Sequence, residues 1–318
     1  MTSPQNSVLV LGGGPDAERQ ISISSATAVH QACLDAGLNA NLLIVNTPTT
    51  EEIATFKADV IFPVLHGNFG EGGQLQQRIQ SANRPFVGSK AKAARIAMDK
   101  LATKLLAATL GIPTKPATLL DPDSITNPID PPLDLPIVIK PVADGSSFGL
   151  HLCPDLKSWH AALLSIANSD HQPISMIEPM IDGRELTVGV IDDGQGRLKP
   201  LPIVEIAPAS GTYDHQAKYQ RNDTIYTVNP DLADDLLSDL QDWSLSLCHA
   251  LGVRHLARVD FMLDQKGNPW LLEANTMPGF TPTSLLPKAA NAAGMTMPDL
   301  CNHLVCAALK QHQSVQNS

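Results

Sequence analysis

Two acids and an amide carry the strongest chemical signal in the sequence. Asp260 lies in Leu256–Leu263, where apolar and polar residues alternate, and Glu273 and Asn275 lie in Trp270–Asn275, after a short break that contains Gly267. Two such runs joined by a short glycine-containing loop predict a β-hairpin. Side chains on a strand alternate between faces, so Arg258 and Asp260 share one face, as do Glu273 and Asn275. Pairing Leu263 with Trp270 sets Asp260 opposite Glu273 and Arg258 opposite Asn275. Carboxylates opposed at about 5 Å destabilise a sheet. Hard cations between them reverse the sign. Asp, Glu and an amide carbonyl are oxygen donors suited to Mg²⁺, which keeps positions for phosphate oxygens. Two such ions can clamp a phosphoryl group. An exposed hairpin with outward charges has the same local pattern, so the hairpin alone leaves both readings open, and a slip of one residue would change the register.

Phosphate-handling groups recur upstream. Lys140 ends the apolar run Ile137-Val138-Ile139, where an unpaired lysine is costly to bury. It leads into Asp144-Gly145-Ser146-Ser147-Phe148-Gly149. Backbone N–H groups and the hydroxyls of Ser146 and Ser147 could close over a triphosphate, although a flexible Gly/Ser turn has the same composition. The G-x-x-x-x-G-K-[ST] string of a P-loop is absent. Glu178 ends the strand-like Ser175–Glu178, and Glu185 opens the next run after Asp182-Gly183. Acids there could hold an adenine amino group and ribose hydroxyls, or serve only to solvate strand ends. Lys100 follows Met98-Asp99 in a helical stretch and, by itself, reads as a surface lysine.

The elements that must position these groups are legible in outline. Val8–Leu11 ends in Gly12-Gly13-Gly14, Ala17–Ala36 reads as a helix, Asn41–Val45 as a strand and Val60–Leu65 as another, followed by the loop His66–Gly73 and a helix from about Gln74. This β-loop-α alternation predicts a parallel sheet with helices on both faces and ligand loops at the carboxyl ends of its strands. Ala91–Leu110 reads as one long helix, Asp121–Pro136 as a proline-rich exposed connector, and Met297–Lys310 as a final helix with a frayed tail from Gln311. The sequence of 318 residues predicts two or three domains. A net charge of −10 argues against nucleic acid or an anionic membrane as partner. No apolar run approaches the ~20 residues of a membrane span. Met1–Ser7 carries no basic residue of a secretory signal, so a cytoplasmic location is expected. Five cysteines without framework spacing predict reduced, structural thiols.

In order, His66-Gly67, Gly70-Glu71, Met98-Asp99-Lys100, Lys140-Pro141, Gly145-Ser146-Ser147, Glu178, Gly183-Arg184-Glu185, Ala217-Lys218-Tyr219, Arg258-Val259-Asp260 and Leu272-Glu273-Ala274-Asn275-Thr276 with Pro278-Gly279 resemble the D-alanine–D-alanine ligases of the ATP-grasp superfamily. The match runs from about Val8 to Leu309. The resemblance implies an α/β (α+β) ATP-grasp fold of three domains: a Rossmann-like parallel-sheet substrate domain (1–95), a central lid (96–178) and a C-terminal metal-binding domain (179–318). It implies ATP held by Lys100, Lys140, Ser147, Glu178, Met180, Ile181, Glu185 and Lys218, and two Mg²⁺ (or Mn²⁺) held by Asp260, Glu273 and Asn275. Glu18 and His66 would bind the first D-alanine, and Ser284 and Leu285 the second. Ser146 and Tyr219 would close the site with Glu18, while Arg258 and the Gly279 N–H would form an oxyanion hole. A homodimer is also implied.

Two departures stand out: Glu71-Gly72-Gly73 where the family usually has Glu-Asp-Gly, and Pro15-Asp16 where Ser or a similar residue is more usual. Gly12-x-Gly14-x-x-Ala17 also fits a loose dinucleotide fingerprint, but Asn41–Val45 ends in Asn46-Thr47-Pro48, without the acid that would hold a ribose. A non-catalytic ATP-binding module would be marked by lost metal ligands, and all three are present. Among ligases, D-lactate and D-serine are alternatives to D-alanine as second substrate, and Tyr219 favours D-alanine by resemblance.

Overall fold

Every residue of Ser7–Gly13 (β1) after the first is buried, as a parallel strand covered on both faces requires. In the computed structural model, which describes residues 6–121, 125, 130–146, 148–169, 173–208, 223–281 and 283–316, β1 lies between Asn39–Val45 (β2) and Val60–Pro63 (β3), all parallel. Period two divides their side chains. Val8, Val10, Val60 and Phe62 share a core with Ala26, Val29 and Cys33 of the helix Arg19–Asp35 (α1). Leu9, Leu11 and Ile61 share another with Leu75, Ile79 and Ile53. Ile53 belongs to Thr50–Thr55 (α2), and the expected loop after β3 holds a short helix, Gly67–Glu71 (α3), before Gln74–Ser81 (α4). α1 starts at Arg19, two residues later than expected, which leaves Glu18 at its N-cap.

The single helix expected over Ala91–Leu110 does not form. Asp99 is extended (φ −82°, ψ 104°) and separates Ala91–Met98 (α5) from Lys100–Thr109 (α6). Its side chain accepts the Ala102 N–H at 2.9 Å. Aspartate favours an N-cap over a helix interior, because its short side chain competes for backbone donors. The break makes Lys100 the first residue of a helix and buries both Lys100 and Lys104.

Two antiparallel sheets follow. Thr118–Leu119 (β4), Ile137–Pro141 (β5), His151–Cys153 (β6) and Ser175–Pro179 (β7) run in the order β4-β7-β5-β6. One face packs Ile137, Ile139 and Ile177 against Trp159, Leu163 and Ile166 of Leu156–Ala167 (α7). The opposite face of β5, with Val138 and Lys140, is only partly covered. The connector before β5 is half-packed rather than wholly exposed, since Leu133 and Leu135 lie against this core.

The larger sheet has the order β10-β9-β8-β11-β12, formed by Gly183–Asp192 (β8), Leu198–Pro208 (β9), Thr224–Val228 (β10), Leu256–Asp264 (β11) and Pro269–Asn275 (β12). Asp234–Leu251 (α8) packs on it together with α5 and α6. β11 and β12 form the expected hairpin, but Leu263 pairs with Pro269 rather than Trp270. A bulge that leaves Leu272 without a partner absorbs the difference. Arg258 therefore still faces Asn275, and Asp260 still faces Glu273.

Leu285–Ala292 (α9) and Met297–Gln316 (α10) close the chain. α10 does not fray at Gln311. Its Leu300, Leu304 and Val305 complete the core beneath β1 and β3, and Gln311 Oε1 accepts from His255 Nε2 at 3.0 Å. The other His255 nitrogen accepts the Gly88 N–H at 3.0 Å. Burial lowers the His255 pKa to about 3, which keeps the ring neutral and able to do both. This bond joins the first sheet's loops to the entry of β11. Cys33 and Cys301 are buried in the same core, and all five cysteines are free.

Candidate active site

Period two along β5 and β11 sends Val138 and Lys140, and Asp260 and Met262, into a cavity of about 480 Å³ lined by both antiparallel sheets. Lys100, Ser146, Glu178, Met180, Ile181, Glu185 and Glu273 also line it. The structure thus brings the six described residues of the proposed nucleotide set together with two of the three proposed metal ligands. Leu152 and Leu272 add apolar wall. Sequence reading missed these walls, although Val138 and Met262 stand two residues from groups already singled out.

Cations and acids are interleaved here. Glu178 is only 4% exposed. Lys104 Nζ lies 2.7 Å from its Oε2, and Lys140 Nζ pairs with Oε1. Burial alone would push the Glu178 carboxyl up, but Lys140 and Lys104 together hold it below the ordinary glutamate value. Lys100, which reads as a surface residue by itself, is 8% exposed. Its Nζ donates to the Asp144 carbonyl at 2.6 Å and lies 3.3 Å from Glu273 Oε2. Lys104 was missed altogether, because its burial depends on the helix break at Asp99.

On β11, Arg258 grips Asp260 with two donors, Nε to Oδ1 at 2.9 Å and Nη2 to Oδ2 at 2.8 Å. The Thr187 hydroxyl also donates to Oδ1. Asn275 Oδ1 accepts the Met277 N–H at 2.8 Å. Among the described residues no three His, Cys, Asp or Glu side chains converge, so an ion held by the proposed residues Asp260, Glu273 and Asn275 would meet two acids and an amide. That low-charge oxygen set fits Mg²⁺ shared with phosphate oxygens rather than a metal caged wholly by protein. In the protein alone, Arg258 and Lys100 supply the opposing charge.

A second cluster gathers where β1 and β3 end. Glu18 and His66 are each 5% exposed. Burial first, then the charges of Glu71 and Asp16, push the Glu18 carboxyl up to about 7, with His66 opposing. His66 Nδ1 lies 3.0 Å from Glu71 Oε1, and Nε2 lies 3.3 Å from Ser25 Oγ. Ser25 in turn accepts the Phe280 N–H at 3.3 Å. Ser22 ties α1 to the strand ends, accepting from Gly13 N and donating to Val64 O. Both serines were missed, although Ser22 and Ser25 share a helix face beside a glycine-rich loop.

The two departures find local reasons. Asp16 Oδ2 accepts the Phe69 N–H at 2.8 Å and so braces the His66 segment. A Cβ at Gly72 would lie 2.4 Å from Asn68 O, so the short helix leaves no room for the usual aspartate.

The loop after β5 approaches this cluster. A Cβ at Gly145 would lie 3.0 Å from Glu18 Oε1, and Ser146 beside it takes a positive φ of 53°. Gly279 lies between Ser284 and Ser25. The Ser284 hydroxyl accepts the Thr281 N–H at 3.0 Å. Leu285 buries its side chain and opens α9, where the first N–H groups of a helix lack internal partners and suit a carboxylate. Ser147, Lys218 and Tyr219 lie outside the described residues.

A parallel-sheet unit joined to two antiparallel sheets that enclose a lysine- and carboxylate-lined cavity defines an ATP-grasp protein. The family profile described as D-ala D-ala ligase C-terminus matches residues 106–306. The D-alanine–D-alanine ligase of Bordetella petrii is 37% identical over 310 residues, covering 97% of this chain and 94% of that protein. The chain belongs to the D-alanine–D-alanine ligase family. The ligase of Methylacidiphilum infernorum is 38% identical over 298 residues, covering 94% of each. The solved structure of the D-alanine-D-alanine ligase from Coxiella burnetii shares the fold with a TM-score of 0.81 at 23% identity, covering 99% of this chain and 97% of that one. VanG D-Ala:D-Ser ligase from Enterococcus faecalis does so at 0.78 and 24%, covering 96% and 99%.

Proposed function

We propose that this chain is an ADP-forming ligase that joins two D-alanines into D-alanyl-D-alanine for peptidoglycan precursors. One observation carries the reading: the cavity lined by Lys100, Lys140 and the Asp260–Glu273 pair lies beside the Glu18–His66 cluster, with Gly145 against Glu18. A recess lined by Glu71, Lys100, Gly145, Glu273 and Asn275 lies between them. That arrangement suits a reaction that couples a nucleotide to a small zwitterion.

A carboxylate does not condense with an amine at neutral pH, because its oxygen leaves poorly. In the proposed route the carboxylate of the first D-alanine attacks the γ-phosphate, forming an acyl phosphate as ADP leaves. The amine of the second attacks that carbonyl, and phosphate departs with the former carboxylate oxygen. The first step needs positioning and charge neutralisation more than covalent help. Lys100, Lys140 and Lys218 would supply cations, while Ser147, Glu178, Glu185 and the backbone at Met180 and Ile181 would hold the rest of ATP. Asp260, Glu273 and Asn275 would hold two Mg²⁺ (or Mn²⁺), which add positive charge against the phosphates. Glu18 and His66 would orient the first D-alanine, with Ser146 and Tyr219 closing over it to keep water from the acyl phosphate. Arg258 and the Gly279 N–H would take the oxyanion, and Ser284 with the Leu285 N–H the second carboxylate.

Among the described residues no helix is long and apolar enough to cross a membrane. The same reading carries a cytoplasmic homodimer and three domains bounded at 95 and 178. Phosphate release with D-alanine, D-lactate or D-serine offered as second substrate tests it. Release with D-alanine far above the others is expected, and a preference for D-serine or D-lactate would overturn the assignment of the product.

Glu18 gives this reading a pH signature. Only the ionised carboxyl offers a substrate ammonium an opposite charge, and its pKa is about 7. As pH falls through that value Glu18 takes up a proton, so KM for the first D-alanine should rise, approaching about tenfold per pH unit further down. Glu18→Gln should flatten that limb of the profile. An unchanged profile in the variant would remove Glu18 from ammonium binding.

A further inference from the structure

Lys104 is a buried charge that the ligation scheme does not use. It stands one helical turn after Lys100 on α6, so the two side chains share a face. Lys100 reaches Glu273 at 3.3 Å, and Lys104 reaches Glu178 Oε2 at 2.7 Å. One short helix therefore sets a cation against each of two acids that line the nucleotide cavity. The other oxygen of Glu178 pairs with Lys140, which lines the same cavity.

This sharing has a consequence once a triphosphate enters. Phosphate oxygens carry more charge than a shared carboxylate and compete for Lys140. Had Glu178 no second cation, it would become an uncompensated anion in a nearly dry site. Such a group takes up a proton. A protonated Glu178 could donate where an exocyclic amino group requires an acceptor. Lys104 pairs with Glu178 without itself lining the cavity and is 5% exposed, so it stays when Lys140 is drawn away.

We propose that Lys104 is a positioning residue that keeps Glu178 ionised and aimed as the acceptor for the amino group of adenine, and so sets the preference for ATP over a purine nucleotide with a carbonyl at that position. This rests on the reading that ATP fills the cavity.

The test is calorimetric binding of ATP and ITP, with Mg²⁺, to the full chain and to Lys104→Met and Lys104→Arg. Loss of a charged hydrogen bond to a buried acid predicts that Lys104→Met weakens ATP by about tenfold or more, with ITP changed far less. Lys104→Arg should keep the wild-type preference. Lys104→Gln retains a hydrogen bond to Glu178 without the charge and guards against misfolding of the methionine variant. Its ATP preference should fall more at about pH 6 than at about pH 8, because Glu178 then titrates. Equal weakening of ATP and ITP, or a wild-type ratio in the folded glutamine variant at both pH values, would overturn the inference alone. If the wild-type chain binds neither nucleotide, the ATP reading falls and takes this inference with it.

Discussion

Replacing Arg258 with alanine is expected to lower ligation turnover by about 10²–10³-fold, the usual cost of removing one donor to a developing oxyanion. ATP affinity should change little, because the nucleotide's proposed partners lie on other elements. The structure adds a second consequence. Arg258 currently neutralises Asp260 through two hydrogen bonds, so the variant leaves that carboxylate with Thr187 and without its cation. Mg²⁺ should then bind no more weakly than in the wild type. Loss of turnover with undiminished metal affinity would separate the oxyanion role from a collapse of the metal site. Lysine at 258 should restore only part of the rate, since an ammonium cannot reproduce the planar fork. Wild-type turnover in Arg258→Ala would exclude Arg258 from the chemistry.

Glu273→Gln should raise the Mg²⁺ concentration for half-maximal activity by at least about tenfold, since ligand charge tunes affinity for a hard cation. Only Asp260 and the Asn275 amide would remain of the proposed donor set. The substitution also removes the acid 3.3 Å from Lys100, so ATP affinity measured without metal should hold or improve. A magnesium titration that superimposes on the wild type would remove Glu273 from the ligand set.

Local pattern was enough where a side chain's role follows from its own strand. Alternation along Leu256–Leu263 and Trp270–Asn275 placed Asp260 across from Glu273, and the structure keeps that opposition. The route to it was incomplete. A bulge at Leu272 has no signature in a period-two pattern, and it corrected a starting pair that was off by one. The parallel sheet was likewise readable from β1 and β3, because burial on both faces leaves continuous apolar runs.

Long-range burial was not readable. Lys100 has the composition of a surface lysine, and its position depends on a helix break at Asp99 and on a carbonyl from a distant loop. Lys104 and Ser25 are hidden for the same reason, since their partners lie 74 and 255 residues away in the sequence. The family resemblance supplied Lys100, Glu18 and His66, which spacing alone could not single out. Gly72 and Asp16 looked anomalous until Asn68 and the Phe69 N–H gave them neighbours.

The account turns on activation of a carboxylate by phosphoryl transfer inside the cavity that Lys100, Lys140, Asp260 and Glu273 line. Incubating the chain with ATP, Mg²⁺ and D-alanine carrying ¹⁸O in its carboxylate, and reading the released phosphate by mass spectrometry, tests this directly. One labelled oxygen should appear in each phosphate as dipeptide forms. Dipeptide made with unlabelled phosphate would mean that the carboxylate never attacks the nucleotide, and the account would be wrong.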